Sequence, residues 1–73
     1  MEKSSATKKD LPLTDAVALV SGAGGPMGAA IGKRLAADGA SLGLIDISGR
    51  RLTATAEEIQ NDFPNIKVCT VRA

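Results

Sequence analysis

Four glycines fall within the stretch Gly22-Ala23-Gly24-Gly25-Pro26-Met27-Gly28, between a short apolar run and a pattern of helical period. The run before it, Asp15-Ala16-Val17-Ala18-Leu19-Val20, has the nearly continuous apolar character of a strand buried on both faces. After it, Met27, Ile31 and Leu35 recur four apart, which predicts an amphipathic helix packing along that stripe. Pro26 stands where the helix begins, a position that tolerates a missing N–H. A strand that turns through glycine directly into a helix needs a crossover back to the sheet. That restricts the chain to parallel strand pairing.

The remaining residues extend this pattern. Asp38-Gly39 closes the first helix, with Gly39 suited to the left-handed conformation at a helix C-terminus. Ser41 to Ile45 reads as a second strand, ended by Asp46. Ser48 is placed to cap a second helix whose apolar stripe is Leu52, Ala56, Ile59 and Phe63. Pro64-Asn65 breaks that helix, and Ile66 to Val71 reads as a third strand. The expected architecture is α/β, in the order β-α-β-α-β. Right-handed crossovers give a parallel sheet in the order 3-2-1 with both helices on one face. Residues 1–13, rich in Lys, Ser and Thr, are expected to form a disordered polar tail, and residues 14–73 the folded unit.

Composition narrows the chemistry. The 73 residues include one Phe and no Tyr, Trp or His, so the core must come from Val, Leu, Ile and Ala. Proton transfer by His or Tyr and metal binding through His are both excluded, and no metal site is expected. The net charge of +1 gives no reason to expect nucleic acid or an anionic membrane as partner. Ala16 to Val20 is the longest apolar run, far short of a membrane span. Cys69 is the only cysteine, which fits a reducing, cytoplasmic setting and a small buried hydrophobe in the third strand.

The glycine turn leads into a helix N-terminus, where unpaired N–H groups and the positive end of the helix dipole suit a phosphate. Asp46 lies 18 residues past Gly28 (46 minus 28), in the range for a carboxylate that binds an adenosine ribose. The alternative role for Asp46 is to cap the second helix. A P-loop does not fit: Gly28 to Lys33 is one residue short between its glycines, and Arg34 stands where Ser or Thr is needed. The G-x-G-x-x-G spacing fails as well, because counting from Gly22 puts Met27 at the last glycine.

The spacing that fits resembles the T-G-x-x-x-G-x-G motif of the short-chain dehydrogenase/reductase family. Ser21 to Gly28 matches it with Ser21 in place of Thr and Pro26 in place of the middle glycine. Asp46 and the Ser-Gly-Arg-Arg-Leu helix start also resemble the family, and the likeness covers Asp15 to Ala73. It implies a partial Rossmann fold that binds a nicotinamide dinucleotide through Ser21, Gly22, Gly24, Gly25, Pro26, Met27, Gly28, Asp46 and Ile47. A carboxylate at Asp46 favours NAD over NADP, with Arg50 and Arg51 the residues arguing for NADP. Family members move hydride between NAD and an alcohol or ketone and are commonly oligomeric. Their Tyr-x-x-x-Lys pair is missing here, so no catalytic residue is assigned and the chain reads as the N-terminal cofactor half of a longer enzyme. A stand-alone nucleotide-binding or regulatory module, and a fragment completing another chain's sheet, are the competing readings.

Overall fold

A computed structural model of the chain describes residues 11–73. Its elements are β1 (Val17–Ser21), α1 (Pro26–Ala37), β2 (Ser41–Asp46), α2 (Gly49–Asp62) and β3 (Val68–Arg72). The strands form one parallel sheet with β2 in the centre, as the crossover argument predicts. Val17 lies opposite Ser41 and Ser21 opposite Ile45, while Leu42 faces Val68 and Asp46 faces Arg72. The α/β fold and the strand order expected from the sequence are those observed.

Strand side chains alternate between faces. Ala18, Val20, Leu42, Leu44 and Val68 therefore share one face of the sheet, and Leu42 and Leu44 are buried there. Both helices cover that face. Ile59 of α2 is fully buried, and its Cδ1 comes within packing range of Gly32 on α1. The helices are tied at their surface by Lys33 Nζ to Glu58 Oε1 at 2.8 Å. The Glu58 carboxylate, by this hydrogen bond and then by its charge, holds Lys33 above the usual lysine range.

Three expectations change. β1 is covered on one face only: Val17 and Leu19 are 73% and 74% exposed on the face away from the helices. Of the stripe Met27, Ile31 and Leu35, only Leu35 packs against the core of the sheet. Gly28, Gly32 and Ala36 are buried instead, with Met27 76% exposed and Ile31 47% exposed. Small residues let the helix axis come close to the sheet, so the larger side chains turn to its flank. Cys69 is exposed and not buried, because it shares the uncovered face with Val17 and Leu19. Truncating Ile31 to Ala should therefore cost well below the ~2–5 kcal/mol of a core truncation. Chemical denaturation of dilute protein measures this.

The ends of α1 follow the sequence signals. Pro26 is its first residue, and Gly39, with φ of +97°, passes into the left-handed region after it. Ser48 caps α2, its hydroxyl oxygen accepting from the Arg51 N–H at 3.3 Å. Most of the expected tail, residues 1–10, lies outside the described residues. Residues 11–13 enter a turn in which Leu13 N–H donates to the Asp38 carbonyl at 2.8 Å. Among the described residues, no helix is long and apolar enough to cross a membrane.

Candidate functional site

The glycine turn leaves β1 at the C-terminal edge of the sheet, where open α/β sheets bind their ligands. Gly22 has φ of +68°, a conformation that side chains other than glycine rarely adopt. Its carbonyl accepts from Gly25 N–H at 3.1 Å, which folds the turn back on itself. Gly28, in the first turn of α1, packs against that same carbonyl so closely that a methyl group would collide with Gly22 and Ala23 backbone. The first and last glycines of the motif are thus locked together.

Asp46 reaches the turn from the end of β2. Its Oδ2 accepts from Gly24 N–H at 2.8 Å, and its Oδ1 accepts from Ser48 N–H at 2.8 Å. One carboxylate therefore joins the β1–α1 turn to the β2–α2 turn. The Ser48 amide, then the Gly24 amide, hold Asp46 below its ordinary carboxylate range. The capping role considered for Asp46 falls to Ser48 instead. Beside it, Ile47 is 78% exposed, and its carbonyl accepts from Arg72 Nε at 3.3 Å. Arg51 packs near the Gly24 backbone next to Asp46.

An inventory of the turn's amides shows which remain for a ligand. Ala23 N–H donates to the Ile45 carbonyl at 3.0 Å, and Gly24 and Gly25 are engaged as described. Pro26 has no N–H. Met27 and Gly28 are the second and third helical residues, positions whose N–H groups have no partner inside a helix. Among the described residues, no hydrogen bond claims either amide. The proline in the motif removes no bond here, because the first helical N–H is unpaired in any helix.

All nine residues singled out in the sequence, seven between Ser21 and Gly28 together with Asp46 and Ile47, gather at this edge. What the sequence could not supply is the pairing of Asp46 with two main-chain amides, or the Arg72 contact to Ile47. A cavity of about 520 Å³ lies at the opposite end of the sheet, between Leu11, Ala36, Phe63 and Ile66, and none of the nine residues lines it. Among the described residues, no group of His, Cys, Asp or Glu side chains is arranged to hold a metal ion.

No family model matches the chain. Levodione reductase of Leifsonia aquatica is 40% identical over 60 residues, which are 82% of this chain and 22% of that protein. The crystal structure of levodione reductase superposes with a TM-score of 0.78 at 39% identity, covering 81% of this chain and 23% of the other. L-sorbose reductase from Gluconobacter frateurii, solved with NADPH and L-sorbose, gives a TM-score of 0.80 at 26% identity over 88% of this chain and 24% of its own. An NADPH-bound short-chain oxidoreductase from Pseudomonas aeruginosa PAO1 gives 0.76 at 29% identity, covering 81% and 23%. These likenesses and the β-α-β-α-β geometry put the chain in the short-chain dehydrogenase/reductase family, over its cofactor-binding portion. The chain spans under a quarter of the length of levodione reductase.

Proposed function

We propose that this chain binds the adenosine diphosphate end of NAD, as the cofactor-binding N-terminal portion of a longer oxidoreductase. The observation that carries this is Asp46 bonded across to Gly24, beside a helix whose Met27 and Gly28 amides are unclaimed. Unclaimed amides at a helix start suit a diphosphate, which the N-terminal dipole of α1 also favours. Ser21 and Gly22 start the turn, Gly24 and Gly25 carry it close to the ligand, and Pro26 pre-sets the helix start. Each Asp46 oxygen has accepting capacity beyond its one amide, which suits the two hydroxyls of an adenosine ribose. Ile47 offers an exposed apolar surface for the adenine ring.

Asp46 also favours NAD over NADP. Its carboxylate, kept ionised by two amides, repels a 2′-phosphate at the same position. Two of the solved relatives hold NADPH, so the cofactor of this chain has to be measured directly. In the intact protein, the bound nicotinamide would exchange a hydride with an alcohol or ketone. The residues for that step are not in this chain, which has no tyrosine. With a single cysteine, the protein suits a reducing cytoplasmic setting.

Isothermal calorimetry with NAD, NADP and AMP tests the assignment. NAD and AMP should bind and NADP should bind at least about tenfold more weakly, because the Asp46 carboxylate repels the 2′-phosphate of NADP. Equal affinity for NAD and NADP overturns the specificity. No heat from any of the three up to millimolar ligand overturns the site.

A further inference from the structure

One oxygen of Asp46 is held by a peptide unit that is itself gripped from its far side. The Ser48 N–H that donates to Asp46 Oδ1 at 2.8 Å belongs to the peptide between Ile47 and Ser48. The carbonyl of that same peptide is the one that accepts from Arg72 Nε at 3.3 Å. In a trans peptide the C=O and N–H point in opposite directions, and the described residues contain no cis bond. Arg72 and Asp46 therefore hold one rigid plane from its two sides. With the Gly24 N–H on Asp46 Oδ2, the bonds form a single line from Arg72 through the peptide and Asp46 to the β1–α1 turn.

The route of Arg72 is built into the fold. It stands opposite Asp46 in the β2–β3 register, and Ala73 N–H donates to the Asp46 carbonyl at 2.9 Å. By strand alternation both side chains fall on the helix-covered face, with Leu44 and Val68. The Arg72 stem then crosses the start of α2 at Gly49. A Cβ at residue 49 would lie 3.3 Å from Arg72 Cδ, so the absent side chain leaves that passage open. Bonds in such a line polarise one another, and a guanidinium on the carbonyl makes the far N–H a stronger donor.

We propose that Arg72 is a positioning residue for Asp46, acting through the Ile47–Ser48 peptide to aim the carboxylate at the ribose hydroxyls of a bound nucleotide. The proposed cofactor site supplies the identity of that ligand, while the line of bonds stands without it. Arg51 of α2 also acts on the carboxylate, through its charge alone, and residues 21–28 carry no charge.

Two substitutions separate the hydrogen bond from the stem. Arg72→Gln places an N–H donor the same number of bonds from Cα as Arg72 Nε, without the charge. Arg72→Met keeps a stem of equal length with neither donor nor charge. Carboxyl-carbon NMR of Asp46, followed through an acid titration of the 73-residue chain, reads the line in the absence of ligand. Asp46 should titrate at higher pH in Arg72→Met than in Arg72→Gln, because only the second keeps the Ser48 N–H aimed and polarised. AMP affinity by calorimetry should fall about two- to tenfold in Arg72→Met and lie closer to wild type in Arg72→Gln. Inorganic pyrophosphate, which has no ribose, should bind both variants as it binds wild type. Arg72 is exposed, and circular dichroism checks the fold of each variant, with Arg72→Ala replacing Arg72→Met should that one unfold. Equal titration of Asp46 in the Gln and Met variants overturns the proposal. So does AMP binding undiminished in Arg72→Met, or a loss shared equally by pyrophosphate. A wild type that binds no AMP overturns the proposed cofactor site instead, and the Asp46 titration then decides alone.

Discussion

Gly28→Ala is expected to lower the stability of the protein more than a substitution at any exposed position. The added methyl would meet the carbonyl group of Gly22 and the Cα of Ala23, all main-chain atoms that cannot rotate away. Relief requires α1 to move off the turn. That in turn pulls Gly32 and Ala36 from their places over Leu42 and Leu44. Overpacking of this kind costs about 3 kcal/mol, sometimes more. A chain of 73 residues has a stability of about 4–11 kcal/mol at the usual figure per residue. The loss is thus a large share of the whole. Thermal denaturation should show a drop in midpoint well beyond that of any exposed position, and a midpoint within a degree or two of wild type would contradict the packing described.

Asp46→Asn should have the second largest effect, and a different one. The amide keeps the shape but has one oxygen where the carboxylate had two. Whichever way it turns, its NH₂ group faces either the Gly24 or the Ser48 N–H, donor against donor. The link between the two turns is lost on one side. If Asp46 also accepts from a ribose hydroxyl, NAD affinity should fall about 10- to 100-fold, the range for a hydrogen bond to a charged group. Calorimetry of the variant measures it. The wild type carries a further signature. Its Asp46 pKa is depressed in the folded state, so the stabilisation is complete above the ordinary aspartate value near about 4 and is lost as pH falls through the folded value. Acid titration should reveal this loss below about pH 4 in wild type, and Asp46→Asn should lack that part of the acid dependence. An identical acid limb in the two proteins would count against the carboxylate link.

Much of this architecture was legible because turns and periods are local. Glycine and proline at residues 22–26, Gly39 and Pro64 punctuate the chain, and the alternation of patterns between them leaves one economical topology. The position of Asp46 at the end of the second strand was legible for the same reason. Tertiary facts were less accessible. Hydrophobicity put Met27 and Ile31 inside, but Gly28 and Gly32 make the closer approach, and only the geometry of a helix on a sheet reveals that smallness can decide which face is buried. The apolar run of β1 suggested cover on both sides, whereas helices lie on one side only. The tie between Asp46 and Gly24 spans 22 residues and depends on a main-chain donor, which no residue pattern encodes.

The central position of β2 has a consequence for how the chain acquires its shape. Val17 meets Ser41 at a sequence separation of 24 (41 minus 17), and Leu42 meets Val68 at a separation of 26 (68 minus 42). No two strands are joined by a hairpin, so no sheet contact is cheap in loop entropy, and topologies of this kind collapse slowly. On a ribosome, β1 would emerge and wait with nothing to pair until the residues up to Asp46 had followed it out.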